Sequence, residues 1–141
     1  MIIGIVKDES EKYDGYNWHD VYREEFENLG DKTILLDFKK IDWFEQVKIA
    51  KPQLIIWRAW HRPDDRDDAK IKIQLIEKLL KIPIFPNWDM YSSYDNKIMQ
   101  HTLLKEFGFP IPKTWIFRNK RDAIEFSKTA ELPLLSKCSE G

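Results

Sequence analysis

Four short apolar runs divide the first two thirds of the chain: residues 2–6 (Ile-Ile-Gly-Ile-Val), 33–38 (Thr-Ile-Leu-Leu-Asp-Phe), 54–60 (Leu-Ile-Ile-Trp-Arg-Ala-Trp) and 82–86 (Ile-Pro-Ile-Phe-Pro). Continuous rather than alternating apolar character is what a strand covered on both faces requires. The two prolines of the last run restrict it to an edge or a strand end, because proline cannot donate to a ladder. Between the runs the period becomes helical. Trp18, Val21, Tyr22, Phe26 and Leu29 recur at helix spacing and Gly30 stops them. Asp42 and Glu45 have the spacing of a capping box for a short helix bearing Phe44 and Val47, closed by Pro52. Acidic residues 64–68 precede a helix carrying Ile73, Leu75, Ile76, Leu79 and Leu80. The order β-α-β-α-β-α-β with short connections predicts a parallel, three-layer α/β sheet with right-handed crossovers.

From Asn87 onward the pattern predicts a loop, a helix and a hard stop. Ser93 or Asp95 is placed to cap the helix, and Met99, Leu103 and Phe107 at spacing four predict one buried stripe. Gly108 ends the helix, and Pro110 and Pro112 forbid a restart. A strand is expected over 114–117, a helix capped by Asn119 or Asp122 with Ala123, Phe126 and Ala130 on one face, and a strand over 133–137.

Composition narrows the function classes. Basic and acidic residues number 23 and 24, a net charge of −1, which leaves no electrostatic footprint for nucleic acid or a membrane surface. The lone cysteine, Cys138, cannot build an internal disulfide framework and fits a reducing, cytoplasmic setting. The N-terminal apolar run is too short for a signal peptide, and no stretch has the ~20 apolar residues of a membrane span. His19, His61 and His101 lack metal-ligand spacing, and no Gly-x-Gly-x-x-Gly occurs.

In an open parallel sheet, ligands collect beyond the carboxyl ends of the strands. Arg58, His61 and Arg62 cluster at one such end, beside Trp57 and Trp60. Arginine presents a planar fork of donors to a carboxylate or phosphate, so these residues make a candidate anionic-substrate site. The competing reading is that the two arginines pair with Asp64, Asp65, Asp67 and Asp68. Asp8 and Asp37, at strand ends, are placed either to touch substrate or to cap the next turn. Tyr13, Tyr16 and Trp18 fit the fringe of a ligand cleft or ordinary loop packing.

The segments Asn87 … Asp95-Asn96-Lys97 … Leu103-Leu104 … Gly108-Phe109-Pro110-Ile111-Pro112-Lys113-Thr114 and Leu134-Leu135-Ser136-Lys137 resemble the ATP-grasp enzymes of the carboxylate–amine ligase type, the glutathione synthetase and glutamate ligase group. There a lysine-bearing helix is followed by a Gly-x-Pro-x-Pro-x-Thr lead-in to the nucleotide-binding domain, and a second lysine lies on a later strand. The resemblance implies a pre-ATP-grasp α/β domain over 1–90, a linker over 91–112 and the incomplete start of an ATP-binding subdomain over 113–141. Cys138-Ser139-Glu140-Gly141 would open the family's glycine-rich phosphate loop. By that resemblance Lys97 and Lys137 bind the phosphates of ATP, the acceptor substrates of the full-length ligase are a carboxylate and an amine or thiol, and the reaction passes through an acylphosphate. Mg2+ is held by acidic and asparagine residues of a second subdomain that these residues do not include. On this reading the chain is the N-terminal portion of a ligase, inactive alone and without catalytic or metal ligands of its own. The strands 114–117 and 133–137 would then present open edges, giving either loose order after Pro112 or a dimer. The alternative class is a non-catalytic α/β ligand-sensing or protein-interaction module. The acidic pair Asp8-Glu9 is too little for a receiver domain, and the Lys7–Gly15 stretch is no flavodoxin phosphate loop.

Overall fold

The computed structural model describes residues 1–8, 15, 17–59, 63–94 and 96–138. They form two compact units, Met1–Ser92 and Ser93–Gly141.

The first unit is an α/β layer. Strands β1 (Ile2–Val6), β2 (Lys32–Leu36), β3 (Leu54–Ile56) and β4 (Ile84–Phe85) form one parallel sheet in the order β2-β1-β3-β4. Helix α1 (Trp18–Asn28) links β1 to β2, α2 (Trp43–Ala50) links β2 to β3, and α3 (Pro63–Leu75) links β3 to β4. The step from β1 to β2 and the step from β2 to β3 run in opposite directions across the sheet. With right-handed crossovers, α1 therefore covers one face while α2 and α3 cover the other. Burial follows this division. Val6, Leu36 and Ile55 pack with Val47 of α2 and Ala69 and Ile73 of α3 in the main core. Ile3 and Ile5 point the opposite way and are also fully buried, on the face where α1 lies along β1 and β2. Gly4 sits on the main-core face of the central strand, where a Cβ would meet Leu36 Cδ1 at 2.8 Å and Ile55 Cγ1 at 3.3 Å.

Several boundaries differ from the expected ones. The second strand ends at Leu36 and the third at Ile56, so Asp37, Phe38 and Trp57–Ala59 lie beyond the ladder. The pairings stop there: β2 meets β1 up to Leu36 opposite Val6, and β3 meets β1 and β4 up to Ile56, opposite Ile5 and Phe85. Asp42 stands at the N-cap of α2 but caps nothing; its Oδ1 accepts from Gln46 Nε2 at 2.9 Å, and Glu45 pairs with Lys48. The helix ends on Lys51, in the left-handed region at φ 46°, before Pro52 is reached. A π-helical turn, Ile76–Leu80, continues α3. The wider turn shifts the apolar phase, leaving Leu79 in solvent and Leu80 against the core.

Residues 88–93, expected as loop, form a short helix, α4 (Trp88–Ser93), which ends the first unit and buries Tyr91 in its core. In the second unit, helix α5 (Lys97–Glu106) comes first. Asn96, rather than Ser93, caps it by accepting the Met99 N–H at 2.9 Å; Asp95 lies outside the described residues. The stripe Met99, Leu103 and Phe107 is 37%, 40% and 74% exposed, not buried. Helical spacing sets a common face, but burial needs an opposing layer, and α5 has no buried residue. Gly108 adopts φ 72°, as the helix stop requires. Helix α6 (Lys120–Ser127) is capped by Asn119, which accepts the Asp122 N–H at 2.9 Å. Phe126 of α6 holds Trp115 and Phe117 at ring distances of 4.8 and 5.2 Å. Among the described residues no strand comes after β4, so 114–117 and 133–137 are irregular. A strand exists only through ladder bonds, and among the described residues these segments show none.

Core weights derive from this packing. Ile55→Ala should cost about 2–5 kcal/mol, whereas Ile41→Ala, at a fully exposed side chain, should stay within about 0.5 kcal/mol, read by urea denaturation. Gly4→Val should cost at least about 1–3 kcal/mol through overpacking.

Candidate functional site

The reversal of winding between β1 and β3 leaves a crevice beyond their carboxyl ends, where the connections depart to opposite faces. A cleft of about 70 Å³ occupies this position. Ladder bonds that run past the strands hold its rim. The Lys7 N–H donates to Leu36 O at 2.8 Å, and the Trp57 N–H donates to Phe85 O at 2.9 Å. Lys7 and Asp8 therefore follow β1, Phe38 and Lys39 follow β2, and Trp57 and Arg58 follow β3, all lining the cleft. The first turns of α3 add Asp65 and Asp68, one helical turn apart.

The floor is aromatic. Phe38 meets Trp57 edge-to-face at 4.8 Å and Trp43 at 5.2 Å, and both Phe38 and Trp57 are buried. Asp8 is buried too. Its backbone N–H donates to His19 Nδ1 at 3.3 Å, and its Oδ1 lies 3.8 Å from the same nitrogen. The Arg58 guanidinium stands over the Trp18 ring at 5.0 Å, which orients it by cation–π attraction. The Lys7 ammonium is 3.7 Å from Asp37, a carboxylate that also accepts the Lys39 N–H.

Arg58 thus lies at the cleft, as does Asp8. Trp18 reaches it through Arg58. His61, Arg62, Trp60, Tyr13 and Tyr16 lie outside the described residues. Asp67 pairs with Lys70 and Asp68 with Lys72. Lys97 and Lys137 are both in the second unit: Lys97 is the first residue of α5 and half-buried, and Lys137 is exposed in the irregular segment after α6. Among the described residues no group of three or more His, Cys, Asp and Glu side chains is disposed to hold a metal, and no helix is long and apolar enough to cross a membrane.

Lys72 is not among the residues that the sequence pattern singles out. It is 9% exposed, and its ammonium donates to Phe38 O at 2.7 Å and to Asp68 Oδ2 while lying 5.4 Å from the Trp43 ring. One cation therefore fastens the turn after β2 to α3. The signal was present: Ala69, Lys72, Ile73 and Ile76 have the i, i+3, i+4, i+7 spacing of a buried stripe, and Asp68 precedes Lys72 by four.

No protein-family model matches the chain, and no curated protein is significantly similar to it.

Lys72→Met keeps the side-chain length but loses both charged hydrogen bonds. It should lower stability by about 1–3 kcal/mol in urea denaturation, while Lys70→Met, whose ammonium meets Asp67 at 3.4 Å on the helix surface, should change it by less than about 0.5 kcal/mol.

Proposed function

We propose that the chain provides the acceptor-side α/β domain and the lysine-bearing ATP segment of an ATP-dependent carboxylate–amine or carboxylate–thiol ligase. The observation that carries this reading is the backbone course from Asn96 to Thr114. A capped helix begins at Lys97, stops at a left-handed Gly108 and passes into a non-helical Pro110-Ile111-Pro112-Lys113-Thr114 segment. This is the course that the resemblance to ATP-grasp ligases calls for. A parallel α/β domain with its cleft at the switch point, preceding that segment, supports the same reading.

The chemistry divides between the two units. A triphosphate requires cations that contact its oxygens without covering the reacting phosphorus, and a lysine ammonium is a mobile point charge suited to this. Lys97 and Lys137 supply such charges. ATP, with Mg2+ held by the remainder of the ligase, activates a carboxylate as its acylphosphate. The first unit contributes the cleft in which an acceptor is held, with Arg58 on its cationic side; His61 and Arg62 follow Arg58 in the sequence. The strand order of the first unit is also that of doubly wound ligand-sensing domains, which bind at the same switch point without turnover.

The full gene product should release phosphate from ATP only when an acid and an amine or thiol acceptor are both supplied. Lys97→Ala and Lys137→Ala should each raise the KM for ATP roughly tenfold or more. ATP affinity that survives both substitutions rejects the ligase reading, and tight cleft binding without any turnover favours the sensing module.

A further inference from the structure

The sheet of the first unit has two outer edges, and they are not alike. β4 is two residues long and lies between Pro83 and Pro86, which cannot donate to a further strand. β2 has no such guard. Its five residues pair with β1 along one side only, contain no proline and, apart from Lys32 at the start, no charge. In a parallel pair a residue turns its N–H and C=O to the same side, and successive residues alternate. The Lys32 N–H donates to Met1 O at 2.9 Å and Leu36 O accepts from Lys7 at 2.8 Å, so Lys32, Ile34 and Leu36 face β1. Thr33 and Leu35 face outward, and among the described residues their backbone N–H and C=O groups have no hydrogen bond. This open row is closed at both ends. The Asp31 N–H donates to Phe26 O at 3.0 Å. The Asp37 N–H donates to Gln46 Oε1 at 3.0 Å, and Asp37 O accepts from the Lys40 N–H at 3.3 Å.

From this edge we infer that two copies of the chain pair through β2, antiparallel about a two-fold axis at Ile34, and so join their sheets into one. Ile34 of one copy then faces Ile34 of the other as a non-hydrogen-bonded pair, and Thr33 of each exchanges both backbone bonds with Leu35 of the other. Every open group of the row is used. The match is particular to this register. An axis at Leu35 sets Thr33 against Asp37, whose N–H is already occupied, and an axis at Thr33 sets Leu35 against the occupied N–H of Asp31. With the axis at Ile34, Asp31 of one copy opposes Asp37 of the other, so closed end meets closed end. The carboxylates brought together there already have cations, Asp31 the N-terminal ammonium and Asp37 the Lys7 ammonium at 3.7 Å. A foreign strand running past the row would set its own N–H and C=O against the closed Asp37 and leave them unsatisfied, which favours a second copy. Ile34 suits the axis. It is β-branched and half-buried at the margin of the main core, and an apolar partner directly opposite covers the part that remains exposed. Isologous pairing of this kind is the commonest form of soluble homo-oligomer. The joining edge thus belongs to the first unit and not to 114–117 or 133–137, which form no ladder among the described residues.

Self-association is independent of the ligase reading and is measured without ATP. Sedimentation of the 141-residue chain from about 1 μM to about 1 mM should show the mass of one chain giving way to that of two. Amide exchange at Thr33 and Leu35 should slow roughly tenfold or more over the same range. Ile34→Lys and Ile34→Glu each set like charges across the axis and should weaken association roughly tenfold or more, whereas an equimolar mixture of the two should restore it. Recovery on mixing separates a lost interface from a lost fold. The axis itself is read by oxidative cross-linking in a Cys138→Ser background. Ile34→Cys sets two sulfurs on a pair whose Cα atoms are about 4.5 Å apart, within the about 4.4–6.8 Å that a disulfide spans, and should give a covalent dimer. Thr33→Cys should not, because the two copies of that position are offset along the strands by two residues, about 6.8 Å, in addition to the spacing between strands. The inference is overturned if the chain stays monomeric throughout, which leaves the edge to an extended segment of another protein. It is overturned equally if a dimer persists unweakened in Ile34→Lys, or if Thr33→Cys cross-links as readily as Ile34→Cys. The unsubstituted chain and the cysteine variants decide the matter even where a charged variant fails to fold.

Discussion

The central strand sets everything else in the first unit. β1 is hydrogen-bonded along both edges, to β2 over its full length and to β3 over Ile3–Ile5. The chain that leaves β2 must cross back over β1 to reach β3, and the preferred hand of such crossings sends it over the opposite face from the one used before. A central strand paired on both sides therefore forces two covering layers, requires nearly unbroken apolar character in β1, and parts the connections above its carboxyl end. Gly4 belongs to the same constraint. On the crowded face of β1 there is no room for a side chain between Leu36, Ile55 and Pro52. The cleft is thus a by-product of winding order, and the residues that happen to follow β1, β2 and β3 determine its chemistry.

What keeps those residues in register is a small set of contacts that extend beyond the ladder. The Lys7 and Trp57 amides continue the strand bonding by one step on each side. Lys72 joins the Phe38 carbonyl to α3 from beneath the floor, with Trp43 against its ammonium. A buried ammonium is costly unless it is hydrogen-bonded and paired, and here it has both a carbonyl and a carboxylate. It therefore ties the turn after β2 to the helix that brings Asp65 and Asp68, so that the two sides of the cleft are coupled through one side chain.

The architecture was largely legible in the residues. The apolar runs at 2–6, 33–38, 54–60 and 82–86 each hold a strand, and Gly30 and Gly108 stop helices with positive φ as expected. Strand lengths were not legible, because a run such as 54–60 records what can be buried, while the ladder extends only as far as residues pair across strands. For the same reason the stripe Met99, Leu103 and Phe107 was misread: periodicity reports a face, and burial depends on a second surface that local spacing does not contain. Half-buried Ala123 and Phe126 show the opposite case, where Trp115 and Phe117 supply that surface locally. At the cleft, Arg58 was identifiable from its place after a strand. Asp65 was not, since an acidic helix start reads as dipole complement, and only the fold shows that it lines a crevice. Lys72 was passed over although its place in the stripe of Ala69, Ile73 and Ile76 marks an inward face.

The cancelling charges around the cleft bear on how a ligand reaches it. Long-range attraction grows with net field, and a cleft whose described lining residues include as many cations as carboxylates, in a chain of net charge −1, projects little field past a Debye length of about 8 Å at physiological ionic strength. Capture is then governed by collision and by alignment of a dipole at short range, so the rate of association varies little with added salt. Selectivity, in such a pocket, is exercised after arrival rather than on approach.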